Sequence, residues 1–170
     1  MKVLLVYDSL FGNTEKVAKT IAGELSKVAT VRLERAASLP RLVMNDYDLL
    51  VLGGPTHRQN ASEAVQKLLQ ASAQGALHGL SVATFDTCYE MPRWIRMVSG
   101  GTAADKIMRG LRKLGALSAT RPKSFLIEHN NEGPLLAGQL EEAERWAASL
   151  AKTYTPKPVG QRSQRMKRAL

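Results

Sequence analysis

A single cysteine, Cys88, stands in 170 residues. A lone thiol excludes an internal disulfide framework and a cysteine-based metal cluster. Long apolar runs are missing too. No stretch approaches the ~20 residues a membrane-spanning helix needs, and the chain opens directly on a strand-like segment, so a cytoplasmic protein is expected. There is no internal repeat and no sign of a second domain. One domain with a real core is expected from this length. Acids are in the minority, 15 against 24 basic residues, for a formal net charge of +9. The excess is local. Residues 152–170 carry six basic residues and no acid, and residues 93–123 carry eight against Asp105 alone, so the remainder is net acidic. Two nucleotide signatures are also absent: the GxxxxGK[ST] loop and the three-glycine dinucleotide fingerprint.

What is present is concentrated in residues 2–27. Val3, Leu4, Leu5 and Val6 form a continuous apolar run, the pattern of a strand buried on both faces. A short loop follows, Asp8-Ser9-Leu10-Phe11-Gly12-Asn13-Thr14. Val17, Ala18, Ile21, Ala22 and Leu25 then recur at the spacing of an amphipathic helix. A loop between a strand and a helix N-terminus gathers free N–H groups and partial positive charge at one point, which suits a phosphate. Ser9, Asn13 and Thr14 add side-chain donors, and Gly12 lets the backbone approach closely. With no lysine in the loop, the candidate ligand is one phosphate monoester held by neutral donors. The other reading is an ordinary capped turn.

S-L-F-G-N-T after a first strand resembles the phosphate loop of flavodoxins, [ST]-x-[ST]-G-N-T. Phe11 departs from that pattern by removing a hydroxyl. The resemblance implies a flavin mononucleotide (FMN) site. Further strands are expected at 29–33, 47–52, 81–85 and 124–128, with helices at 38–45, 62–73, 102–115 and 136–154 and a long loop over 86–101. Strands alternating with helices give a parallel sheet with right-handed crossovers. The expected fold is therefore α/β: a flavodoxin-like, three-layer, doubly wound, five-stranded parallel sheet in the order 2-1-3-4-5. The domain is placed at 1–155, with 156–170 a basic, flexible tail.

In such sheets a ligand sits beyond the strand C-termini, at the switch between strands 1 and 3. The loops after strands 3 and 4 are therefore tests. Gly53-Gly54-Pro55-Thr56-His57-Arg58 resembles the G-x-P-T-[W or H] loop of flavodoxin-like proteins, with His57 where many carry a tryptophan over the flavin. Phe85-Asp86-Thr87-Cys88-Tyr89-Glu90 resembles the G-D-x-x-Y loop, with Phe85 in place of glycine. The resemblance implies that Ser9, Leu10, Phe11, Gly12, Asn13 and Thr14 hold the phosphate. It likewise assigns Pro55, Thr56, His57 and Arg58, and then Phe85, Asp86, Thr87 and Tyr89, to the rest of the cofactor. Tyr89 takes the outer stacking position and Trp94 is its rival. Each of these has a plainer reading, as loop anchors or, for Asp86, a turn residue bonded to its own backbone. Cys88 reads better as a small buried hydrophobe than as a redox thiol.

No catalytic residue and no metal ligand is assigned. The leading function is FMN-based electron transfer, with potential and access set by the protein. Arg58, Arg93 and Arg96 are candidate cations near the flavin, expected to raise its potential. A second function is an NAD(P)H-dependent FMN oxidoreductase acting on quinone-type acceptors; the fold does not choose between them. The basic 93–123 stretch would suit an acidic redox partner such as a ferredoxin, or a dinucleotide phosphate. A third is a binding module with a basic tail. A receiver domain would need an aspartate ending strand 3, where Gly53-Gly54 stand. Nucleic acid is not expected as a partner, because the tail lacks interleaved aromatics and a clear apolar stripe.

Overall fold

The apolar runs become the middle of a sheet. The computed structural model describes residues 1–128 and 133–153, the side chain of Arg93 excepted. β1 (Lys2–Tyr7), β3 (Leu49–Pro55) and β4 (Ser81–Tyr89) lie adjacent and parallel, buried on both faces along most of their length. β2 (Thr30–Arg35) pairs with β1 at one edge, and its weaker apolar alternation matches its half-buried state. The order is β2-β1-β3-β4, and the fifth position is built from two segments. β5 (Leu117–Ser118) pairs with the start of β4, and β6 (Lys123–Ile127) pairs with its end. The order 2-1-3-4-5 therefore holds, with a sixth strand sharing the last position.

Alternate strand residues point to opposite layers. Val3, Leu5, Val51, Ala83 and Phe85 meet α1 (Asn13–Ser26) and α5 (Gln139–Thr153) through Val17, Ile21, Leu25, Trp146 and Leu150. Leu4, Val6, Leu50, Leu52 and Val82 meet α2 (Glu63–Ala71) and α4 (Ala103–Lys113) through Val65, Leu68, Ile107 and Leu111. This is the expected three-layer sandwich. No helix among the described residues is long and apolar enough to cross a membrane. The tail at 156–170 lies outside the described residues.

Two local expectations are corrected. Residues 38–45 do not form a helix; only a 3-10 turn, Ala36–Ser38, precedes them. Pro40 forces extended backbone on Leu39, which has φ −106° and ψ 123°. Leu42 and Met44 are buried all the same, held because Leu42 N–H donates to Ser72 Oγ at 3.0 Å. Nor is 86–101 one long loop. β4 runs on to Tyr89 because β6 gives it a partner there, and a short helix, α3 (Arg93–Val98), follows.

The extension of β4 explains the glycine beside it. A Cβ on Gly53 would lie 2.3 Å from the Phe85 ring, so only glycine fits. Phe85 itself is fully buried and packs edge-on against Phe125 and Trp146, with ring centroids 6.3 and 6.2 Å away.

Candidate functional site

The loop between β1 and α1 is preformed. Gly12, the residue before α1, has φ +86°, a conformation costly for any residue with a Cβ. Its N–H donates to Ser9 Oγ at 3.1 Å, closing the loop on itself. Among the described residues no side chain caps α1, and its first backbone bond is from Lys16 N–H to the Gly12 carbonyl at 3.0 Å. The N–H groups of Asn13, Thr14 and Glu15 are thus left without an acceptor among the described residues. That is the donor set an anion at a helix N-terminus requires. Ser9, Asn13 and Thr14 are nonetheless buried. Thr14 Oγ1 lies 2.7 Å from Thr87 Oγ1, and Asn13 Nδ2 donates to the Gly133 carbonyl at 2.6 Å. Leu10 and Phe11 stand half in solvent at the rim. Phe11, Thr14, Pro55, Thr87 and Ile127 line a small depression of about 10 Å³ beside the loop.

Beyond β3 the chain makes a tight reversal. His57 and Asn60 exchange two backbone hydrogen bonds, each 2.9 Å. Arg58 and Gln59 between them have φ +48° and +62°. Positive φ at both central positions is the geometry of a type I′ turn, here without glycine. The turn holds His57 half-buried and pushes Arg58 outward. His57 Nδ1 is buried with no hydrogen-bond partner among the described residues. Arg58 makes no ion pair among the described residues, whereas Arg96 is bound to Asp105 at 3.2 Å. The Arg93 side chain lies outside the described residues. A cavity of about 600 Å³ opens between this turn, Asp8, Leu10 and the first turn of α2.

The third segment differs from the sequence expectation. Phe85, Asp86, Thr87 and Tyr89 belong to β4, not to a loop, and the first three are paired on both sides by β3 and β6. Their backbone donors are therefore engaged in the sheet, and the Phe85 side chain faces the core. Asp86 is wholly buried and is not the turn residue its type suggests. Its Oδ2 accepts from Thr56 Oγ1 at 2.8 Å and from Ala104 N–H at 2.9 Å, while Thr56 Oγ1 accepts from Ala103 N–H at 2.8 Å. The carboxylate thus sits at the N-terminus of α4 and ties that helix to the loop after β3. Burial pushes its carboxyl above the usual range, and the hydrogen bonds to it pull the other way. Oδ1 has no partner. Thr56 is occupied by this network. Of the four β4 residues, Thr87, beside Thr14, lines the depression next to the loop, and Tyr89 is half-buried at the end of the strand. Trp94, on α3, is 67% exposed.

Burial, with Asp86 nearby, pushes the Cys88 thiol up to about 12. A thiol so placed is not a nucleophile at neutral pH, as its apolar reading predicts. Two contributors escape a sequence reading. The Gly133 carbonyl reaches Asn13 from 120 positions away, and α4 meets Asp86 and Thr56 through the backbone N–H groups of Ala104 and Ala103, which no side-chain motif reveals.

A family model described as a flavodoxin domain matches residues 4–93, more than half of the chain. The chain belongs to the flavodoxin-domain family. Solved structures share the fold. Oxidised flavodoxin 1 from Bacillus cereus is 18% identical, with 91% of this chain and all of that one covered and a TM-score of 0.73. A flavodoxin from the domain Archaea is 19% identical over 89% of this chain and 97% of that one, TM-score 0.64. The flavodiiron protein of Giardia intestinalis is 18% identical; 89% of this flavodoxin-family chain aligns with 36% of that one, TM-score 0.62. No curated protein matches the chain.

Family membership brings FMN as the cofactor and electron transfer as the class of work. The residues present fit that group at its phosphate end. The unacceptored N–H groups of residues 13–15, the left-handed Gly12 and the Ser9 and Thr14 hydroxyls together supply what a phosphate monoester needs.

Proposed function

We propose that this flavodoxin-family protein is a one-domain FMN electron carrier whose redox partner is an acidic protein. The observation that supports it most is the uncapped N-terminus of α1 behind a left-handed Gly12, with two hydroxyls beside it. In this reading Ser9, Gly12, Asn13 and Thr14, with the backbone of Leu10 and Phe11, hold the phosphate. Thr87 fixes the Thr14 hydroxyl. Pro55, His57 and Arg58 flank one side of the ring, and Tyr89 covers the other, anchored by its strand pairing with Ile127. Thr56, Phe85 and Asp86 act behind the site, positioning its loops rather than touching the cofactor.

FMN supplies the redox chemistry when bound; the chain supplies binding, orientation and electrostatics. The phosphate loop fixes the tail without a compensating lysine, so neutral donors and the helix end carry the attraction. Arg58, without an ion pair among the described residues and held outward by its strained turn, puts a positive charge at the ring end in this reading. A cation there favours whichever form of the site gains negative charge.

A specific observation favours a second reading. The cavity of about 600 Å³ beside His57 and Arg58 is large enough for a small organic substrate, as an NAD(P)H-dependent oxidoreductase with a quinone-type acceptor would require. One experiment separates the two. The purified protein is mixed with FMN, desalted and examined by visible absorption, then given NADPH with and without a quinone. Flavin bands that follow the protein, with no NADPH oxidation, support the carrier. Turnover of NADPH by the isolated protein supports the enzyme. Flavin that does not follow the protein at all overturns both.

A further inference from the structure

Trp94, Met97 and Val98 are exposed at 67, 79 and 79%. Three large apolar side chains on one six-residue helix make a contiguous patch, a feature that on soluble proteins marks an interaction site. α3 follows directly from the tip of β4, at the sheet end where Tyr89 and the phosphate loop lie.

The surroundings of the patch are cationic and tied together. Arg96 on α3 binds Asp105 on α4 at 3.2 Å, and Arg109 Nη2 donates to the Gly100 carbonyl at 2.7 Å. Lys106 Nζ donates to the Gln59 carbonyl, joining α4 to the His57 turn. Lys106, Arg109 and Lys113 lie at i, i+3 and i+7, so they share one outer face of α4. The only acid of residues 93–123, Asp105, is already spent on Arg96 and on capping α4.

We infer that the outer face of α3 and α4 is the docking surface for an acidic redox protein. It rests on the electron-transfer reading above and adds where the partner sits. Trp94, Met97 and Val98 form the apolar centre that excludes water, and Arg96, Lys106, Arg109 and Lys113 form the charged rim. That division, apolar core and polar rim, is the anatomy of a protein interface. A nucleic acid would be held through its phosphates and would leave Met97 and Val98 without a role. Rim charges act mainly on encounter rate and salt dependence.

The test uses the FMN-loaded full chain, isotope-labelled, titrated with an oxidised acidic two-iron ferredoxin at low and high salt. Expected is saturable binding at ~20 mM ionic strength that weakens at least roughly tenfold by ~300 mM. Amide shifts should fall on α3, Gly100–Gly101 and the outer face of α4. The double variant Arg109→Glu/Lys113→Glu should weaken binding roughly tenfold or more, and Met97→Asp several-fold. Both should keep the parent's melting temperature and FMN affinity. A basic cytochrome c should not bind.

The proposal is overturned by no saturable association with the ferredoxin at low salt, or by shifts that avoid α3 and α4. Equal binding by the charge-reversed variant also overturns it. So does tighter binding of single-stranded DNA that the same charge reversal abolishes, which would make this face a nucleic-acid surface. If the chain does not retain FMN, the cofactor reading fails while titration of the flavin-free protein still scores the docking surface. If FMN is retained and the ferredoxin does not dock, the surface alone fails.

Discussion

At the phosphate loop Ser9, Asn13 and Thr14 are buried, and each is already fixed by a hydrogen bond before any ligand arrives. Beyond the ends of β3 and β4 Tyr89 is half-exposed, Trp94 and Arg58 stand in solvent, and His57 Nδ1 has no hydrogen-bond partner among the described residues. The first region is built to hold one chemical group at low entropic cost. The second is left adaptable and reachable, as a site that must pass electrons to a partner requires. Between them lies Asp86, which fastens the loop after β3 to α4. In the function proposed above, affinity belongs mainly to the phosphate end, and potential and access to the ring end.

The sharpest way to break this division is to remove the fastening. Asp86→Ala leaves Thr56 Oγ1 and the Ala104 N–H buried without their acceptor, and the expected loss is about 3 kcal/mol of unfolding free energy. Urea unfolding measures it. Asp86→Asn keeps the acceptor oxygen and removes the buried charge. Because burial raises the folded-state pKa above the unfolded value, the wild-type contribution is fully present below the unfolded pKa. It is lost as pH rises through the folded one. The Asn variant should therefore gain on the wild type at pH 7 and lose that advantage as the pH approaches 4. A gap between the two that does not change with pH would show that folding leaves the Asp86 pKa at its unfolded value.

Next in size is Thr14→Val. It removes the hydroxyl from the phosphate loop and leaves Thr87 Oγ1 unpaired. A lost hydrogen bond to a charged group is worth about 1.5–3 kcal/mol, so FMN should bind roughly 10- to 150-fold more weakly. Riboflavin, which has no phosphate, should bind the variant and the parent alike. Equal loss for both ligands would mean that Thr14 shapes the whole cleft rather than the phosphate site.

The same contrast explains what the sequence revealed. The core strands were legible because a strand buried on both faces must be continuously apolar, as Val3 to Val6 and Leu49 to Leu52 are. The donor-rich turn before α1 was legible because its groups are local: Gly12, Asn13 and Thr14 adjoin one another. The ring end depends on distant pairings. β4 reaches Tyr89 only because β6, more than thirty residues later, lies beside it. α3 is six residues long, less than two turns, and its apolar residues Trp94, Met97 and Val98 stand in solvent rather than on the core, so periodicity had too short a window in which to separate it from a loop. The positive φ of Arg58 and Gln59 carried no glycine to announce it.

A smaller effect should sharpen the ring end. His57 is a smaller surface than the tryptophan it replaces, so His57→Trp should tighten FMN by up to about tenfold through stacking, read from flavin fluorescence quenching. Unchanged affinity would put His57 away from the ring.

The smallest expected change is the most diagnostic of electrostatics. Arg58 has no carboxylate partner among the described residues, and its turn projects it beside the cavity at the ring end. Arg58→Ala should lower the FMN midpoint potential by tens of millivolts, because the positive charge that favours electron uptake is gone. Salt screens an exposed charge over about 10 Å at 0.1 M, so the difference between variant and parent should shrink as salt rises. Arg58→Lys should restore most of it, since charge rather than shape is responsible. Arg96→Ala is the internal comparison: Asp105 already neutralises that guanidinium at 3.2 Å, so its removal should move the potential less. Equal shifts from the two arginines would mean that the ring responds to the net charge of the whole face, not to the one residue its turn singles out.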